Sequence, residues 1–188
     1  MIWTPATIAR LAALCLVGGI LQLTAVSQFA IFGVPADITP LLAVSVGLLA
    51  GSIAGAAFGF ALGLFMDTAM LQTLGLTSLV LLTIGYLAGR LRELRDPAHG
   101  LVPLAVGAAG TAAYVLGLGL MQFLLGFEAP VSLEFVRHAL MLIVLNSLLA
   151  LPVYALVRRV LLPFLPDDPR RRRRRAYTTG GLSPLSRA

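Results

Sequence analysis

Residues 41–66 form a stretch of 26 residues without a charged side chain. Four more apolar runs, 11–32, 74–89, 101–127 and 135–157, accompany it, divided by short polar links. An apolar stretch of about 18 residues or more is long enough to cross a bilayer. The chain as a whole is 59% hydrophobic and 12% charged, with a mean hydropathy of +0.94. Soluble domains run at about 45–50% apolar and about 25% charged, so 188 residues of this composition are too apolar to hide their side chains in one soluble core. A soluble enzyme, a secreted disulfide scaffold and a disordered tail protein are excluded. The expected fold is all-α, a polytopic membrane helix bundle. The one cysteine, Cys15, lies in the first apolar run and has no partner for an intramolecular disulfide.

The charge-free stretch is itself hard to place. As one helix from Thr39 to Met66 it would be about 42 Å long against a hydrocarbon core of about 30 Å. Broken near Gly51-Ser52, it gives pieces of about 12 and about 15 residues, both short for a span. The first run follows Arg10 and carries Ala25 and Ser27 at the small-x-small spacing of a signal cleavage site. It exceeds the about 7–15 apolar residues of a signal peptide, so an uncleaved first helix is expected. From Pro163 onward the chain is rich in Arg, Ser, Thr, Gly and Pro and has no means of burying a core. A transmembrane domain over 1–162 and a disordered cytoplasmic tail over 163–188 are therefore expected.

All fourteen basic residues are arginine, and Arg170, Arg171, Arg172, Arg173, Arg174 and Arg175 are consecutive. Those six account for the whole net charge of +6, which points to a topology signal or to contact with anionic lipid before nucleic acid. With six spans and both termini inside, 13 arginines are cytoplasmic and one, Arg137, is outside. With five spans and the N-terminus outside, the count is 12 against two. The positive-inside rule places the C-terminus and the 90–96 loop in the cytoplasm in both schemes and barely separates them.

Gly47, Gly51, Gly55, Gly59 and Gly63 recur every four residues, a small-residue ladder that lets another backbone come close. The neighbour is either another helix of this chain or a partner's transmembrane helix. Asp67 ends the same run, where an acid is costly unless hydrated or paired; Arg137 is the basic residue on its side of the membrane in the six-span scheme. No carboxylate or histidine stands at ligand spacing from Asp67, so no metal is implied. Glu134, Arg137 and His138 stand at i, i+3 and i+4, the spacing of a local ion pair. Asn146, deep in the last run, is expected to hydrogen-bond another helix, and Pro152 to kink that helix. The two histidines, His99 and His138, fall on opposite sides of the membrane, and no catalytic constellation or phosphate loop is present. The chain reads as a non-enzyme without cofactor.

At Gly51 to Asp67, GSIAGAAFGFALGLFMD, and Leu74 to Leu91, LGLTSLVLLTIGYLAGRL, the chain resembles the bacterial rod shape-determining protein MreD family over about residues 8–160. Gly55, Gly59, Phe60, Gly63 and Asp67 match that family's central block, and Gly85, Tyr86, Gly89 and Arg90 its closing one. Asp37 stands where the family has its Pro-Asp, with the proline displaced to Pro35. The arginine tail falls outside the resemblance. The resemblance implies six spans with both termini cytoplasmic, a helix break at Gly51-Ser52, and residence in the inner membrane. It implies a scaffold subunit of the cell-elongation complex that guides lateral peptidoglycan synthesis, with the bitopic protein MreC as partner. The actin-like MreB filament and the wall-synthesis proteins are linked through the complex. Gly85, Tyr86 and Gly89 join the glycine ladder and Asp67 as candidate packing or partner contacts. A small-molecule permease, or the substrate-binding subunit of a vitamin importer, is the other function class.

Overall fold

A computed structural model describes residues 5–28, 30–31, 33–94, 102–126 and 133–161. The arginine run 170–175 and the tail 163–188, together with Arg95, Asp96, His99 and Glu128, lie outside the described residues. The described residues form six α-helices: α1 Pro5–Thr24, α2 Thr39–Ala50, α3 Ser52–Ala69, α4 Leu76–Leu94, α5 Val102–Leu124 and α6 Leu133–Leu161. Between α1 and α2 a short antiparallel hairpin, β1 Ala30–Ile31 and β2 Val34–Pro35, turns around Gly33. Four of the helices, α1, α3, α5 and α6, are long and apolar enough to cross a membrane.

The charge-free stretch breaks at one residue. Gly51 has φ 98 and ψ 178, a backbone conformation open essentially to glycine alone, and it closes α2 and opens α3. Helices of 12 and 18 residues result. The shorter, α2, extends only about 18 Å. It is tolerated because it never meets lipid: every residue from Thr39 to Ala50 is buried. A helix apolar on all sides belongs inside a bundle, and α2 packs on α1, α3, α4, α5 and α6.

Contacts fix the direction of each helix. Arg10 Nη1 approaches the Val160 carbonyl oxygen at 3.5 Å, so the start of α1 and the end of α6 share one end of the molecule, here termed the arginine end. α2 runs back along α1, with Gly18 against Leu42, which brings Gly51 and the last turn of α4 toward that same end. α3 and α4 form an antiparallel hairpin, the most extensive helix pair among the described residues. Against it and α2 lie α5 and α6, where Gly110 meets Val44 and Gly107 meets Ala150. α6 is continuous through Pro152, whose side chain is exposed.

Candidate functional site

The glycine ladder folds on itself. Gly47 belongs to α2 and Gly55, Gly59 and Gly63 to α3, and all four meet backbone atoms of α4. A Cβ at Gly47 or at Gly55 would strike the Gly85 carbonyl oxygen; one at Gly59 would strike the Leu81 carbonyl, and one at Gly63 the Ser78 backbone. From the other side, Gly85 lies on Gly55 and Gly89 on Ser52. The groove that the ladder opens is thus filled by this chain's own α4. Tyr86 is turned away from the seam, with 42% of its surface exposed.

Asp67 closes the far end of the α3–α4 hairpin. It is 1% exposed, and its Oδ2 accepts hydrogen bonds from the Gly75 amide at 2.8 Å and the Ser78 hydroxyl at 3.4 Å. Its backbone carbonyl takes the Gln72 amide, so one residue organises the whole turn between the helices. Oδ1 has no hydrogen-bond partner among the described residues. Arg137, the basic group expected near it, is exposed on α6. The local pair expected of Glu134 with Arg137 or His138 is not formed; all three side chains are exposed, where water competes for the charges.

At the arginine end a second acid ties α3 to α4. Glu93 Oε1 accepts from the Ser52 amide at 3.1 Å and the Ser52 hydroxyl at 2.6 Å, satisfying first-turn donors of α3 just after the Gly51 break. Its Oε2 pairs with Arg90 at 3.1 Å. Glu93 stands beyond the apolar part of α4, and the Ser52 hydrogen bonds, then Arg90, hold its carboxyl below the ordinary 4.5.

The most polar locus lies inside the bundle, where the chain enters α2. Asp37 Oδ1 accepts from the Thr39 amide at 2.9 Å and the Thr39 hydroxyl at 2.6 Å, and the Tyr114 hydroxyl of α5 reaches the same carboxyl group. Gln22 of α1 bonds twice: its Nε2 donates to the Ala36 carbonyl at 3.1 Å, and its Oε1 accepts the Ile38 amide at 2.9 Å. Asn146 of α6 donates through Nδ2 to the Asp37 carbonyl at 2.7 Å and to the Thr111 hydroxyl at 3.1 Å. Gln22 and Asn146 each stand twelve residues along their helices from Arg10 and Arg158. That is about 18 Å from the arginine end, close to the middle of a hydrocarbon core of about 30 Å. Non-helical backbone at that depth persists only where protein groups satisfy it, and here side chains of α1 and α6 do so.

Asn146 was legible as an interhelical donor. Gln22, Thr111 and Tyr114 were missed, although a lone glutamine inside the first apolar run is itself a signal of a buried contact. Ser52 and Glu93 carried no sequence signal, because 41 positions separate them. Among the described residues no group of three or more His, Cys, Asp or Glu side chains is placed to hold a metal.

No curated protein and no solved structure matches the chain. The sequence model described as rod shape-determining protein MreD matches residues 6–160, which takes in all six helices except the first and last residues of the bundle. With the helices that can cross a bilayer and the Gly51–Asp67 block in place, the chain belongs to the MreD family of rod shape-determining membrane proteins.

Proposed function

We propose that the chain is a scaffold subunit of the cell-elongation complex in the inner membrane, binding an MreC-type bitopic protein and helping to position lateral peptidoglycan synthesis. In this reading the arginine end faces the cytoplasm, both termini lie there, and the polypeptide crosses six times. The second crossing is made by α2 together with the hairpin segment before it. The Arg10–Val160 contact supports the reading, since it brings the first and last helices to one end, and the positive-inside rule assigns that end to the cytoplasm. Residues 1–162 then form the membrane domain. The six arginines 170–175 attract anionic lipid at about 1 kcal/mol each near the surface. The actin-like MreB filament and the wall synthases are reached through the complex.

The observation that carries the scaffold role is the α2–α3–α4 seam. Backbone-to-backbone packing through four glycines makes a rigid body, as holding partners in register requires, and leaves the outer faces of α1, α5 and α6 open to lipid or partner helices. Affinity purification of the tagged chain in mild detergent tests the function. Recovery of the MreC-type protein is expected, and its reduction by Gly59→Leu, which breaks the seam. Recovery of transporter ATPases without any wall-synthesis protein would replace this reading with that of an importer subunit.

A further inference from the structure

We propose that the half of α6 farther from the arginine end carries a binding site for one amine-bearing zwitterionic phospholipid, with the lipid phosphate on Arg137, its ammonium on Glu134 and an acyl chain in the groove below them. Leu133, Val136, Arg137, Leu140, Met141 and Val144 line an open groove of about 310 Å³ on α6. They recur at three- and four-residue steps, which stacks them along one helical stripe. The groove wall is wholly apolar, so Arg137 lines it with its methylene stem and holds the guanidinium clear of it. Leu140 and Val144 are 59% and 67% exposed, so the stripe is open to an occupant.

Depth and charge order identify the occupant. Arg137 and Arg158 stand 21 residues apart on one continuous helix, with no Asp, Glu, Lys or Arg between them. At 1.5 Å per residue that is about 31 Å, the thickness of a hydrocarbon core, so Arg137 reaches the headgroups of one leaflet as Arg158 reaches those of the other. Leu140, Met141 and Val144 then lie roughly 4–11 Å deeper, at the level of the upper acyl chain. Among the described residues every other arginine stands at the arginine end, so Arg137 is the one guanidinium at this level. Glu134 stands about 4.5 Å farther out along the axis, also exposed, and pairs with neither Arg137 nor His138. From the core outward the order is apolar groove, cation, anion. A phospholipid with a terminal amine presents the complement in the same order: acyl chain, phosphate, ammonium. The guanidinium fits a phosphate through its fork of N–H donors, and the carboxylate fits an ammonium. A headgroup with a phosphate and no amine would instead bring uncompensated negative charge beside Glu134. The site requires only that the bundle lie in a membrane and is independent of the scaffold role.

Photo-crosslinking tests the site. The full chain is reconstituted in vesicles of equal parts phosphatidylethanolamine and phosphatidylglycerol, with a trace of one or the other carrying a diazirine in an acyl chain, and adducts are mapped by peptide mass spectrometry. Relative to the exposed Ile20 and Leu21 of α1, adducts at 140–144 are expected to be roughly threefold more abundant with labelled phosphatidylethanolamine than with labelled phosphatidylglycerol. Glu134→Gln should bring that ratio to one. Arg137→Gln should lower the adducts of both lipids at 140–144 and leave those on α1 unchanged. Both side chains are exposed, so neither change removes a packing contact. A ratio of one in the wild type, a preference kept in Glu134→Gln, or adduct yields indifferent to Arg137→Gln would overturn the proposal. So would a lack of lipid adducts at 140–144 beside normal labelling of α1, which would mean that a second copy of the chain covers the stripe.

Discussion

A single methyl group decides whether α3 and α4 can meet. At Gly59 an added Cβ would collide with the Leu81 carbonyl, a backbone atom with no side chain to swing aside. Gly59→Ala is therefore expected to destabilise the bundle by about 1–3 kcal/mol, the usual penalty of overpacking. Leu79→Ala, on the outward face of α4, should change the midpoint little, because Leu79 is half exposed. Heat unfolding in mild detergent compares the two, and equal losses would mean that the seam is not the tight contact described. The spacing of Gly55, Gly59 and Gly63 was plain in the sequence. Which backbone they would touch was not, since small-residue ladders serve a chain's own helices and foreign ones alike.

Among the helices, the decisive event is the break at Gly51. Its φ of 98 with ψ near 180 is a glycine conformation, and the nearest neighbour of an added Cβ is Glu93 Oε1 at an ordinary 3.5 Å. Gly51→Ala should thus cost about 1–3 kcal/mol through the backbone alone, with no steric clash to relieve. A compensating change at Glu93 that restored the midpoint would refute that account. Glu93 itself should make stability depend on pH. Its carboxyl is held below 4.5 in the folded chain by Ser52, so its contribution is present above that value and disappears as pH falls through the lowered one. The gap in unfolding midpoint between the wild type and Glu93→Gln should be open at neutral pH and shrink as pH falls below 4.5. A gap unchanged over that range would show that the Ser52–Glu93 contact does not act through charge. The family resemblance implies the break, whereas length alone leaves one long helix and two short ones equally awkward. The Glu93 cap was not legible, since nothing local in the sequence links it to Ser52.

At the level of the whole molecule the body and the tail separate by charge. Removing residues 170–188 deletes the six consecutive arginines and leaves every described helix untouched. The shortened chain is expected to keep the unfolding midpoint of the full chain. Anchored at low density in vesicles, it should lose the salt-sensitive attraction to anionic lipid expected of the full chain, at about 1 kcal/mol per arginine removed. A lowered midpoint after truncation would make the tail part of the folded body. The polar locus belongs to this scale too, for it draws on α1, α2, α5 and α6 at once.

What the sequence determined by itself is the class of structure and its family. Long charge-free runs leave a chain of this size no stable place except a membrane, and hydropathy and glycine spacing are local properties that survive without any knowledge of neighbours. Only the tertiary structure decided that α2 is a half-length helix fully enclosed by the others, that the ladder faces α4, and that Gln22, Asp37, Thr111, Tyr114 and Asn146 share one depth. The reason is physical: backbone groups at mid-bilayer must find donors and acceptors in protein, and those partners lie on helices remote in sequence. Their identity is fixed by how the bundle closes and by no run of neighbouring residues.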